Sequence, residues 1–348
     1  MIERSKSYPN LVSEPRSKLS ETQEVLTNLK PRFSRVAKVE IRFVAIWIAL
    51  GILLLIDAIF LPRSLQRSTL LAISPFAAFL AITAIGQAIV IMARGIDLSV
   101  PAIMSLSCAI LIGFSAGNDA HLFSAVGIAV LAAVLVGAVN GVLIAFLRLN
   151  ALIVTLAVGA IVTGLTIWYR QSVGAESPVP PSLAEFGNGR LLGIPTSVTI
   201  AILITCIAAL FLTKTVAGRR FEAVGTNPEA AHVVGIPVRI YQAGAYVIAG
   251  LVYGIAAMLL AAFIRNPTLD VGMPYFMAPI AAAVLGGVVM SGGIGNMLSV
   301  AAASIFLIQL DQSLKMIGLP TSWQLVIQGI AIGSGMYLSE LRSPRKGR

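Results

Sequence analysis

Along most of this chain apolar residues neither alternate nor recur on one helical face. They run in blocks of about 20, separated by short polar or Gly/Pro-containing breaks. A block of that length with few charges predicts a helix that satisfies its own backbone hydrogen bonds while crossing a bilayer. The pattern predicts about ten such helices, at 43–61, 71–93, 98–116, 122–147, 151–170, 195–213, 241–264, 275–290, 296–312 and 321–339. The third, eighth and ninth are short or broken by Gly and Pro, so a re-entrant segment is the alternative for one of them, and the expected range is eight to ten. The fold class is therefore all-α, a polytopic membrane protein. Around the apolar blocks, residues 1–41 form a basic, Ser-rich tail, 42–340 the membrane domain with a long polar loop at 214–240, and 341–348 a second basic tail. The N-terminal tail shows no cleavage site after the first apolar block and reads as a flexible arm.

Composition agrees with the pattern: 57% of the 348 residues are apolar and 11% charged, against roughly 25% charged in soluble domains. The 31 glycines suit helices that pack closely in lipid. Cys108 and Cys206 lie singly in apolar runs and suggest packing, with no disulfide, redox or metal motif. A net charge of +10 raises the question of nucleic acid, and the placement of the charges answers it. With the N-terminus inside, the tails, Arg94, Arg148, Lys214, Arg219, Arg220 and Arg239 fall on the cytoplasmic side, and only Arg63, Arg67, Arg170, Arg190, Arg265 and Lys315 outside. That is the positive-inside distribution; both termini are expected in the cytoplasm and no nucleic-acid role follows.

The loop at 214–240 contains a short, well-marked helix. Asn227 is an N-cap, Pro228 suits the first helical position, and Glu229 sits at the positive end of the dipole. Gly235 can take the left-handed closing conformation and Pro237 prevents continuation. Such a helix is too short to be stable alone. Ala230 and Ala231 give it a low profile, so it reads as a docking element for a partner on the cytoplasmic side, a solvated loop helix being the alternative. No Gly-x-x-x-x-Gly-Lys-[Ser/Thr] occurs, so the chain carries no phosphate-binding loop of its own. Nor does it hold ion-relay groups at mid-membrane: Asp57 and Asp311 fall near outer helix ends, and Arg94 and Asp97 flank an inner junction. No metalloprotease motif or Ser/His pairing lies in the spans, so no catalytic or metal-binding residues are assigned. Two Gly-rich junctions remain. One breaks at Gly95 and restarts at Asp97 or Ser99; the other carries Gly292, Gly293 and Gly295 and restarts at Asn296. Both read as close backbone packing and helix restarts, with direct ligand contact the alternative.

Six stretches in order, "GIDLSV" from Gly95, "NGVLIAFLR" from Asn140, "LIVTL" from Leu152, "GNGRLLGIP" from Gly187, "EAVGTNPEAAHVVGI" from Glu222 and "LGGVVMSGGIG" from Leu285, resemble the permease subunits of bacterial ABC importers for ribose, xylose and arabinose. The resemblance covers about residues 70 to 338. It implies a type II ABC-importer-like permease in the bacterial inner membrane, working as a homodimer or paralogous heterodimer among membrane lipids. The expected partners are a cytoplasmic ATPase, which binds the ATP, and an extracytoplasmic solute-binding protein. Within it, Glu229, Ala230, Ala231 and Gly235 match the family's Glu-Ala-Ala-x-x-x-Gly element, which contacts the ATPase. This chain departs from the family where Arg94 replaces a second Gly, where Pro101 and Ala102 replace Gly-Ser, and where Asn150, Ala151 and Leu152 replace Pro-Pro-Phe. A nucleoside, a branched-chain amino acid and an autoinducer-type furanose are alternative cargoes, and a self-sufficient channel or secondary carrier is the alternative class. Polar or aromatic residues within spans, Gln87, Thr155, Thr163 and Phe276, are candidate pore-lining groups.

Overall fold

The structure, a computed structural model, describes residues 32–173, 178–320 and isolated positions between 322 and 333. The chain divides into two units, 1–42 and 43–348; the account below concerns the second. Helix α1 (Arg32–Phe60) leads through a 3₁₀ turn at Pro62–Leu65 to α2 (Arg67–Met92). After a break come α3 (Val100–Ser115), a turn at Asp119–His121, α4 (Leu122–Ala145) and α5 (Ala151–Val173). A short helix α6 (Pro181–Asn188) precedes a hairpin of β1 (Arg190–Leu191) and β2 (Ile194–Pro195), then α7 (Thr196–Lys214). Three helices follow with minimal connections: α8 (Val216–Thr226), α9 (Pro228–Val233) and α10 (Val238–Ile264). Beyond them lie a 3₁₀ turn at Met273–Tyr275, α11 (Ala278–Leu285) and α12 (Met297–Met316).

Among the described residues 7 helices are long and apolar enough to cross a membrane, with Val100–Ser115 and Met273–Leu285 as shorter apolar pieces. Two expected spans are therefore corrected. The third is α3, of 16 residues; at 1.5 Å per residue it covers about 24 Å of a core about 30 Å thick. The eighth dissolves into a turn and the 8-residue α11, because Pro274 and Pro279 withdraw backbone donors. The glycines that follow then take up positive φ at Gly287, Gly292 and Gly293. The ninth is a full helix of 20 residues. The tenth, 321–339, lies largely outside the described residues. The connection between α6 and α7 contains the hairpin, with Arg190 opposite Pro195 and Leu191 opposite Ile194. Its two turn residues, Leu192 at φ 53° and Gly193 at φ 80°, have the double positive φ that matches a tight hairpin to strand twist.

Helices α2 and α10 form the centre of the bundle, buried over most of their length, while α1 and α4 turn most of theirs outward. Apart from Asn140, what α4 buries is a single stripe, Ala125, Ala129, Ala133, Gly137, Gly141 and Ala145, one small residue every four positions. That spacing puts them on one face, where the absence of side chains lets the backbone of α10 approach. A Cβ on Gly141 would stand 2.6 Å from Ala243 O, and one on Gly250 2.5 Å from Ala133 O. Polar ties are fewer. Asp57 of α1 is buried and its Oδ2 accepts from Gln309 Nε2 (2.6 Å) and Ser313 Oγ (2.7 Å) of α12, which pins those two helices together. Asp311, on the same helix α12, takes Lys315 as an ion-pair partner.

Candidate functional site

The short helix expected in the 214–240 loop is α9, of 6 residues. Asn227 stands at its N-cap and its Oδ1 accepts from Ala230 N–H at 3.1 Å. At the other end Gly235, at φ 81°, donates its N–H to His232 O, and Ile236 donates to Ala231 O, both at 3.0 Å. This is the two-bond left-handed closure that a glycine favours. Ala230 and Ala231 were expected to share one low face. The helix turns them apart: Ala231 is buried, whereas Ala230, Glu229, His232 and the strongly exposed Val233 and Val234 point outward. Beside α9, between the end of α4 and the start of α10, opens a groove of about 640 Å³ with Arg148, Arg239, Glu229 and His232 on its walls. On α8, burial raises the Glu222 carboxyl above its ordinary value.

The first helix break closes α2 by the same two-bond geometry, but the left-handed position is filled by Arg94 rather than Gly95. Arg94 has φ 68°, donates its N–H to Ile91 O (2.9 Å), and Gly95 N–H reaches Val90 O (3.0 Å). A non-glycine in that conformation carries about 1–3 kcal/mol of strain. Gly95 is required for another reason: a Cβ there would collide with the phenol of Tyr246. At the restart, Ser99 occupies the N-cap position of α3 without a cap bond from its own side chain. Asp97 supplies it, its Oδ1 accepting from Ser99 N–H (2.8 Å) and Ser99 Oγ (2.5 Å), while Asn140 Nδ2 donates to Ser99 Oγ (2.9 Å).

The second junction packs against the first. Gly293 N–H donates to Met92 O at 2.9 Å, tying the glycine loop to the last residue of α2. Gly292 and Gly293 need φ 92° and φ 88°. They also leave no room for a side chain, since a Cβ would lie 2.5 Å from Arg94 Cγ and 2.7 Å from Thr226 N respectively. Gly295 is as tight, at 2.7 Å from Met92 Sδ. Asn296 restarts α12, its Oδ1 accepting from Leu298 and Ser299 N–H at 3.0 and 3.2 Å. Into the same point runs the end of α8. Arg94 Nε donates to Gly225 O and its terminal nitrogen to Thr226 O, both at 2.6 Å. A Cβ on Gly225 would sit 2.5 Å from Gly293 N. Both helix breaks and the segment entering α9 thus converge on one knot.

The four candidate pore-lining residues separate. Gln87 and Thr155 are fully buried. With its amide turned so that the oxygen accepts from Asp97 N–H (3.2 Å), Gln87 donates to Asp97 O (3.1 Å) and Tyr253 Oη (3.0 Å). Thr155 Oγ1 accepts from Leu98 N–H (3.1 Å) and donates to Ala151 O (2.8 Å). Both hold the first break in place. Thr163 is exposed on α5 and Phe276 half-buried beside the turn at Met273–Tyr275. Residue patterning did not single out Gly225, Thr226 or Tyr253. Arg94 gave one signal, its place in a motif position where the resembled family has glycine.

The family described as branched-chain amino acid transport system / permease component matches residues 69–332. The ribose import permease protein of Bacillus subtilis (strain 168) is 32% identical over 310 residues, covering 85% of this chain and 92% of that one. The ribose import permease protein of Escherichia coli (strain K12) is 30% identical over 292 residues, 82% and 89% respectively. The autoinducer 2 import system permease protein of Enterobacter sp. (strain 638) is 31% identical over 293 residues, 83% of each. No solved structure gives a significant match. A helical body with seven membrane-length helices among its described residues and two discontinuous segments knotted to a capped loop helix, matched over most of its length, belongs to the branched-chain amino acid transport permease family, the permeases of ABC importers.

Proposed function

We propose that this chain is the translocation subunit of an ATP-driven importer for a monosaccharide of the ribose class in a bacterial inner membrane, and that α9 is its point of contact with a separate ATPase. The observation that carries the coupling role is the attachment of α9. It is capped at both ends, presents Ala230 and Val233 outward, and is joined through Thr226 to the knot where both discontinuous segments meet. A force applied to α9 therefore reaches the membrane segments through hydrogen bonds rather than through a slack loop. Both termini and the 214–240 loop lie in the cytoplasm, with the hairpin side outside, facing the solute-binding protein. ATP is bound by the partner, and this chain contributes no catalytic group, cofactor or metal site. A second permease subunit completes the path, which is lined in part by the accessible Thr163 and Phe276. The ribose reading of the cargo rests on the named substrates of two of the relatives above; a furanose autoinducer is the second reading, on the third. Reconstitution of the chain with its ATPase and binding protein in proteoliposomes tests the whole reading. ATP-dependent uptake of ribose is expected, and uptake without ATP or ATPase would overturn it. Ala230→Trp is expected to leave membrane insertion intact while abolishing ATPase co-purification and uptake.

A further inference from the structure

We infer that Arg94 is a positioning residue that locks the two discontinuous segments to the coupling helix, so that the three move as one body; this rests on the coupling role proposed for α9. Three features of the same side chain support it. Its backbone occupies the left-handed slot of the α2 closure at φ 68°, a conformation glycine takes without strain. Its guanidinium makes two bonds of 2.6 Å to Gly225 O and Thr226 O, the final carbonyls of α8, immediately before the Asn227 cap of α9. Those carbonyls form the negative end of a helix, where a cation with directed donors is favoured. Its Cγ is the atom that a Cβ on Gly292 would strike first, so the glycine loop is fitted around this side chain. Arg148 and Arg265 also follow helix ends at positive φ, 58° and 68°. Of these three, only Arg94 hydrogen-bonds its guanidinium to another helix. The strained backbone is thus tied to a cross-helix contact, and that contact links α2 and the glycine loop to α9.

Arg94→Gly separates this role from simple folding, because glycine suits the backbone while removing the clamp. In proteoliposomes carrying the complete transporter, the variant is expected to insert, co-purify with the ATPase and hydrolyse ATP at the basal rate. The number of solute molecules taken up per ATP should fall about tenfold, the scale of a lost coupling interaction. Arg94→Lys, which keeps the charge but not the two-pronged donor geometry, should recover part of that ratio. An unchanged ratio in Arg94→Gly would overturn the inference, as would loss of ATPase co-purification, which would make Arg94 a docking residue instead. The two readings fail separately. If Ala230→Trp retains ATPase and uptake, the coupling role of α9 falls; if Ala230→Trp is inactive and Arg94→Gly behaves as the parent, only the clamp falls.

Discussion

Gly235 and Asn227 hold α9 in place by opposite means. Gly235 has open space where a Cβ would go, but φ 81°. A β-branched side chain there meets no neighbour and is opposed only by its own backbone, at about 1–2 kcal/mol. Gly235→Val is therefore expected to insert and dimerise normally, yet to capture little ATPase in a pull-down. A full ATPase yield would show that the closure is dispensable. Asn227→Ala loses the 3.1 Å cap bond to Ala230 N–H, worth about 0.5–2 kcal/mol. It should give an intermediate uptake rate, with Asn227→Asp close to the parent. Glu229→Ala should be milder than either, since an exposed dipole contact is worth about 0.3–1 kcal/mol. Both caps are legible from residue types alone, because Asn227 needs only the backbone N–H three residues on and Gly235 only its own freedom at positive φ.

Between elements, backbone approach and one polar clasp do most of the work. Gly141 of α4 faces the backbone of α10 with no room for a methyl group. Gly141→Leu must push two spanning helices apart, and overpacking of this kind costs about 1–3 kcal/mol. A lower thermal unfolding midpoint in detergent is expected, whereas the exposed Gly127, with nothing within 4 Å, should accept Leu without loss. Asp57→Ala leaves the Gln309 amide without its acceptor inside the bundle, while Ser313 Oγ keeps Gln309 O. Stranding a buried donor costs about 1–3 kcal/mol, and Asp57→Asn, which keeps an acceptor, should melt nearer the parent. The chain shows an abundance of small residues, and the structure alone lines up Ala125 to Ala145 at a spacing of four. The identity of the helix they pack against was not visible in the chain, because a small residue carries no information about its partner.

For the whole molecule, orientation is open to direct measurement. Cys206 is exposed and Cys108 buried, so a Cys206→Ser background is needed for single-cysteine labelling. In it, Leu192→Cys, at the tip of the hairpin, should react with a membrane-impermeant maleimide in intact cells. Val233→Cys on α9, also exposed, should react only after permeabilisation. Labelling of Val233→Cys in intact cells would invert the map and remove the ATPase from reach of α9.

Hydrophobic length and cap chemistry are local properties, and from them the chain alone determined an all-helical membrane body, a capped helix at 227–235 and helix breaks near residues 95 and 292. Only the tertiary structure decided which breaks meet. The closure of α2 by Arg94 in place of Gly95, the burial of Gln87 and Thr155 behind the first break, and the turn of Ala231 away from Ala230 all depend on neighbours more than 50 residues away or on the helical phase those neighbours impose. The same holds for Gly225 and Gly293. Each lacks a side chain because another backbone stands where it would be, and which backbone that is depends on how the helices pack in three dimensions.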